Sequence, residues 1–154
     1  MIIFLDIDGV LNNHTPMSNG YNGIDKVCVS NFNFLLSQLP SVKIVISSAW
    51  RYLIHGGAFT LKGFEYMLET HGVECKDRLI GYTDKDPELP QNHDEWNQAG
   101  LQFRKDQILK WIKDNNYSGP YLVLDDLDIG IGYRTDGKIG LTCQDVYNIL
   151  FERV

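Results

Sequence analysis

The chain of 154 residues has 20 acidic and 14 basic side chains, a formal net charge of −6, with 44% hydrophobic and 22% charged residues. That length suits one domain that buries a core without staples, and the negative charge excludes a protein that coats nucleic acid nonspecifically, though not an enzyme that touches only a phosphorylated end. No apolar run approaches a membrane span, the run from Met1 to Leu5 meets Asp6 too soon for a signal peptide, and three scattered cysteines (Cys28, Cys75, Cys143) fit neither disulfides nor a zinc knuckle. The expectation is a reduced, cytoplasmic protein without a membrane partner.

Residues 2–5 form a short apolar run stopped by acids and Gly9, the pattern of a buried parallel strand. A polar loop with Pro16, Gly20 and Gly23 follows. Cys28, Phe32, Leu35, Leu36 and Leu39 then recur at helical spacing until Pro40 stops the pattern. Residues 42–46 read as a second strand ending in Ser47-Ser48. Phe64, Met67, Leu68 and His71 line a helical face closed by Gly72. Residues 79–82 suit a short third strand, and 83–100, polar and containing Pro87, Pro90 and Gly100, reads as a long exposed loop. Leu101, Ile108, Trp111 and Ile112 mark the next helix, with Trp111 a core residue by its spacing. Residues 121–124 give a fourth strand ending in Asp125-Asp126, and Tyr133-Arg134 begins a fifth, with Asp136-Gly137 as a turn. Thr142 and Asp145 have capping-box spacing before a last helix whose face is Val146, Ile149, Leu150 and Val154. This alternation predicts one three-layer α/β domain over residues 1–154 with a mainly parallel, five-stranded sheet.

Ligands of open α/β sheets sit beyond the carboxyl ends of the strands. Three predicted strands deliver polar groups there: Asp6 and Asp8, Ser47 and Ser48, Asp125 and Asp126. Clustered carboxylates repel one another unless a hard cation neutralises them, and Mg2+ takes oxygen ligands while keeping positions for phosphate. Asp6, Asp8, Asp125 and Asp126 are the candidate ligands, with Asp128 an alternative to either of the last two. Asp6 suits attack on phosphorus and a transient acyl phosphate. Asp8 suits protonation of the leaving oxygen, then deprotonation of water. Gly9 allows a tight turn that aims amides at the phosphate. Ser47 and Ser48 can donate to phosphate oxygens, and Arg104 or Lys105 can neutralise the transferring group. Trp50, Arg51 and Trp96 are candidates for contact with a base or backbone beside the phosphate.

The run Phe-Leu-Asp-Ile-Asp-Gly-Val-Leu-Asn at residues 4–12 resembles the first motif of the haloacid-dehalogenase-like (HAD) phosphatase superfamily. Ile44-Val45-Ile46-Ser47-Ser48 resembles the second motif, Arg104 or Lys105 the third, and Leu122-Val123-Leu124-Asp125-Asp126 the fourth, all in the expected order. Ser48-Ala49-Trp50-Arg51, Arg104 with Ile108 and Trp111, and Thr135-Asp136 ahead of Gly140-Leu141-Thr142 are similar to the small HAD domains of Swiss-army-knife RNA-repair proteins. The resemblance implies a Rossmann-like HAD fold, Mg2+ as cofactor, an aspartyl-phosphate intermediate and phosphorylated nucleic-acid ends or nucleotides as substrate. It also implies a minimal cap, with 83–100 at most a small lid. Alternatives are a small-metabolite phosphatase and a catalytically inactive HAD-fold binding module. A dehalogenase does not need Asp8, and a response-regulator receiver would carry its accepting aspartate after the third strand, where only Asp84 stands.

Overall fold

Strand β1 (Ile2–Leu5) is buried along its whole length, as the central strand of a parallel sheet must be. In the computed structural model, which describes residues 1–14, 23–87 and 93–152 (93–99 by backbone alone), four further strands join it. These are β2 (Lys43–Ile46), β3 (Leu79–Tyr82), β4 (Tyr121–Asp125) and β5 (Tyr133–Arg134). Their order is β3-β2-β1-β4-β5, and every pair is parallel. The fold is therefore an α/β Rossmann-like one, with a sheet wholly rather than mainly parallel. β1 is flanked by β2 and β4, which makes its carboxyl end the point where the strand order reverses.

Side-chain alternation divides the core. Ile3, Leu5, Ile44, Ile46 and Leu124 point to one face and pack with helices α1 (Lys26–Gln38), α3 (Leu61–Thr70) and α5 (Cys143–Tyr147). Ile2, Phe4, Val45 and Val123 point to the other, under Ile108, Trp111 and Ile112 of α4 (His93–Asp114). Trp111 meets Phe4 edge-on at 5.6 Å between ring centroids, so Trp111 is core as its spacing predicts. Burying a side chain such as Phe4 stabilises by about 1.5–3 kcal/mol.

The ends of the helices follow local chemistry. Asp25 caps α1, accepting from the Val27 and Cys28 amides at 2.9 Å each. Thr142 and Asp145 form the expected capping box at α5, which continues as a wider turn over Asn148–Glu152. A 3-10 turn (Ala49–Arg51) and the short α2 (Tyr52–His55), which the sequence did not announce, follow β2 directly. Between α3 and β3, the buried Glu65 carboxylate accepts from the Leu79 amide at 2.9 Å, the Asp77 amide at 3.1 Å and Lys62 Nζ at 2.8 Å. Burial works to raise the Glu65 pKa, but these three donors outweigh it and hold the value below the ordinary one.

One expectation is corrected. Residues 83–100 are not a loop throughout, because α4 begins at His93 and contains Gly100. Its first two turns carry no regular apolar stripe, which hides the helix from periodicity, while Asp94 and Glu95 suit a helix start. Pro16, Gly20, Pro90, Val154 and the side chain of Trp96, with the lid role expected of its segment, lie outside the described residues. Among the described residues, no helix is long and apolar enough to cross a membrane.

Candidate active site

The sheet register builds the site. Leu5 pairs with Ile46 on one side and Leu124 on the other, so the next residues, Asp6, Ser47 and Asp125, stand at one level above the strand ends. The backbone ladder continues into this level: the Asp6 amide donates to Leu124 O at 2.9 Å, and the Ser47 amide to Leu5 O at 3.0 Å. By alternation these three side chains share the face of Phe4, Val45 and Val123, which α4 covers. Arg104 stands one turn before Ile108 on α4, and therefore reaches the same place.

Arg104 Nη1 lies 3.0 Å from Asp6 Oδ2 and 3.0 and 2.9 Å from the two Asp125 oxygens. Asp6 and Asp125 are both 2% exposed at the side chain. Their other bonds come from the backbone, Ile7 N to Asp6 Oδ1 at 2.8 Å and Leu127 N to Asp125 Oδ1 at 2.9 Å. Asp126 completes the group, with one oxygen from each of the three carboxylates within 4.8 Å of the others. Gly9 has φ +80°, and a Cβ there would stand 2.5 Å from Asp126 Cγ; a Cβ at Gly137 would strike the same carboxylate. Glycine at both positions makes room for Asp126.

Burial is the main force raising the Asp6 pKa to about 7; Asp125 and Asp126 push the same way, and Arg104 opposes them. Asp125 is also raised, chiefly by burial against the pull of Arg104. Burial works to lower the Arg104 pKa, but the two carboxylates outweigh it. Fully ionised, three carboxylates and one guanidinium would bring a net double negative charge into one small volume, and all the candidate ligand atoms are hard oxygens. Level with Asp6 and Asp125, the Ser47 hydroxyl is buried and has no hydrogen-bond partner among the described residues. Buried hydroxyls are almost always paired, so Ser47 Oγ fits a ligand oxygen. The group thus suits a small divalent cation together with an oxyanion.

Asp8 stands outside the triad of acids. Its Oδ1 accepts from Asn12 Nδ2 at 2.9 Å and from Trp50 Nε1 at 3.1 Å. The Ser48 hydroxyl caps the 3-10 turn, accepting from the Trp50 amide at 3.3 Å. Arg51 is buried; it donates to the carbonyls of Ser48 and Asp84 at 2.9 Å, to Asp86 Oδ1 at 3.0 Å and to Gln107 Oε1 at 3.2 Å. Those bonds tie the turn after β2 to α4, one turn beyond Arg104. Lys105 is half-buried, with Nζ 3.8 Å from where a Gly130 Cβ would stand. Asp128 is exposed and accepts from the Gly130 amide at 3.2 Å within its own turn.

Three contributors carry no catalytic signature in the sequence. Asn12, fully buried, accepts from the Gly9 amide at 2.8 Å and donates to Gly23 O at 2.7 Å. Thr135 Oγ1 donates to Gly9 O at 2.7 Å, and Gly137 yields space to Asp126. Asn12 and Thr135 do fall within runs that resemble the HAD motifs, but their types alone do not tell which partners these buried groups find.

Comparison with curated proteins and with solved structures gives no match. The order of these strand-end groups does have a counterpart among protein families: residues 2–146 match the HAD domain in Swiss Army Knife RNA repair proteins, and the chain belongs to that family.

Proposed function

We propose that this chain is a Mg2+-dependent phosphomonoester hydrolase that works through an aspartyl-phosphate on Asp6 and acts on phosphorylated nucleic-acid ends. The observation that carries the reading is the level shared by Asp6, Ser47 and Asp125 at the strand-order reversal, closed from above by Arg104. Asp6, Asp125 and Asp126 would hold the cation, which HAD enzymes generally use and which supplies charge neutralisation to the incoming phosphate.

The residues divide the remaining work. An Asp6 oxygen forms the bond to phosphorus while the bond to the leaving oxygen breaks, its electron pair staying on that oxygen. Asp8 supplies the proton, then takes one from the water that attacks the aspartyl-phosphate and frees Asp6. Ser47 Oγ gains its missing partner by donating to a phosphate oxygen. Arg104, already placed between Asp6 and Asp125, neutralises charge that spreads over the transferring group.

Two observations favour an extended substrate. The family is described by RNA repair. Among the described residues, the stretches between β1 and β3 hold only α1, the 3-10 turn, α2 and α3, with no separate cap domain. The test is phosphate release with Mg2+ from oligonucleotides bearing 5′- or 3′-phosphate, set against nucleotides and sugar phosphates. Preference for the oligonucleotides is expected. Preference for a small metabolite would remove the nucleic-acid end, and no release from any ester would remove the phosphatase and leave a binding module.

A further inference from the structure

Asp8 is held by two donors on a single oxygen. Asn12 Nδ2 and Trp50 Nε1 both point at Oδ1, at 2.9 and 3.1 Å. A carboxylate oxygen has two lone pairs, so these two bonds saturate it. Neither donor can be turned around. An indole N–H only donates. The Asn12 amide is fixed at its other positions, because its Oδ1 receives the Gly9 amide and its Nδ2 also serves the Gly23 carbonyl. Trp50 is equally constrained: it lies in the 3-10 turn capped by Ser48 and packs against the core beneath α1 and α3.

We propose that Trp50 is a positioning residue for proton transfer, fixing Asp8 so that its transferable proton resides on Oδ2. This rests on the phosphatase reading above. With Oδ1 saturated, Oδ2 is the oxygen that releases the proton to the leaving group as the phosphorus–oxygen bond breaks. The same oxygen later takes the proton of the attacking water. Trp50 thus acts through Asp8, and its indole N–H serves the site from within the protein rather than from the substrate side.

The experiment compares Trp50→Phe, which keeps an aromatic ring and deletes the N–H, with the wild type on two esters. An alkyl phosphate needs its leaving oxygen protonated, whereas p-nitrophenyl phosphate has a leaving group stable without a proton. General acid catalysis is worth about 100-fold or more, so loss of its alignment should lower kcat/KM on the alkyl ester, which covers the steps up to departure of the leaving group, by about tenfold. The p-nitrophenyl ester should change by less than about twofold in kcat/KM, while kcat on either ester also carries the later hydrolysis step that Asp8 assists. Trp111→Phe, on the opposite face of the sheet, controls for general loss of indole packing and should slow both esters equally or not at all. Equal loss of kcat/KM on both esters in Trp50→Phe overturns the inference, as does a rise in KM with kcat intact on both, which would make Trp50 a substrate contact. A wild type inactive on both esters overturns the phosphatase reading itself. A readout independent of turnover is the Trp50 indole N–H resonance, assigned by its disappearance in Trp50→Phe. It should move in Asp8→Ala, and an unmoved resonance contradicts the bond.

Discussion

Replacing Asp6 with asparagine should make the metal-free protein more stable at pH 8 while removing its nucleophile. The buried Asp6 carboxyl has a folded-state value near 7 against an ordinary 3.8, raised foremost by burial. A raised value means that the contribution of Asp6 to stability is greatest below pH 3.8 and is lost as pH rises through about 7. Above that pH the folded protein carries a charge that water would hold more comfortably, at a cost on the order of 4 kcal/mol. At pH 5 the same linkage gives less than about 2 kcal/mol, because the folded carboxyl is still protonated. Asparagine has nearly the same shape and no charge, so Asp6→Asn should gain roughly 2–4 kcal/mol over wild type at pH 8 and clearly less at pH 5. Urea denaturation of both proteins in a chelator, at the two pH values, reads the difference directly. A variant no more stable than wild type at pH 8, or an advantage that does not shrink toward pH 5, would refute the electrostatic picture of the site. Mg2+ should then stabilise the wild type more than the variant, since the cation relieves the charge that the variant lacks.

Ser47→Ala should be neutral or stabilise by about 1 kcal/mol, because its buried hydroxyl has no partner to lose among the described residues, yet lower phosphate release by tenfold or more. Paired denaturation and turnover measurements separate the two effects. Gly9→Ala meets both a left-handed backbone and the Asp126 carboxylate, so a loss of about 1–3 kcal/mol and of activity together is expected from the same measurements. Glu65→Gln puts an amide group among backbone donors and should cost about 2 kcal/mol at pH 7. Because the Glu65 value is lowered, its contribution is present above pH 4.5 and lost as pH falls through the lowered value; the variant should show a flatter acid limb in a stability–pH series.

The strands and their terminal acids were legible because each apolar run ends abruptly in a polar pair, and parallel register then fixes what lies level with what. Spacing left the choice between Arg104 and Lys105 open. Both lie about one helical turn before the buried Ile108, and it is Arg104 whose guanidinium meets Asp6 and Asp125. The first half of α4 was hidden for the opposite reason, having no apolar stripe to read. Arg51 looked like a group for substrate because a guanidinium after a strand end is usually presented. Nothing in the sequence tells that the carbonyls of Ser48 and Asp84 require donors, and those carbonyls hold it inside. Trp50 raised the same ambiguity, and the position of Asp8 resolves where its N–H goes.

The most direct test of the central claim is a rapid acid quench during turnover of a phosphate-labelled oligonucleotide in Mg2+, followed by peptide mapping. The account predicts label on the peptide that contains Asp6, absent from Asp6→Asn, whose phosphate release is also abolished. Turnover without a labelled peptide, undiminished in Asp6→Asn, would contradict it.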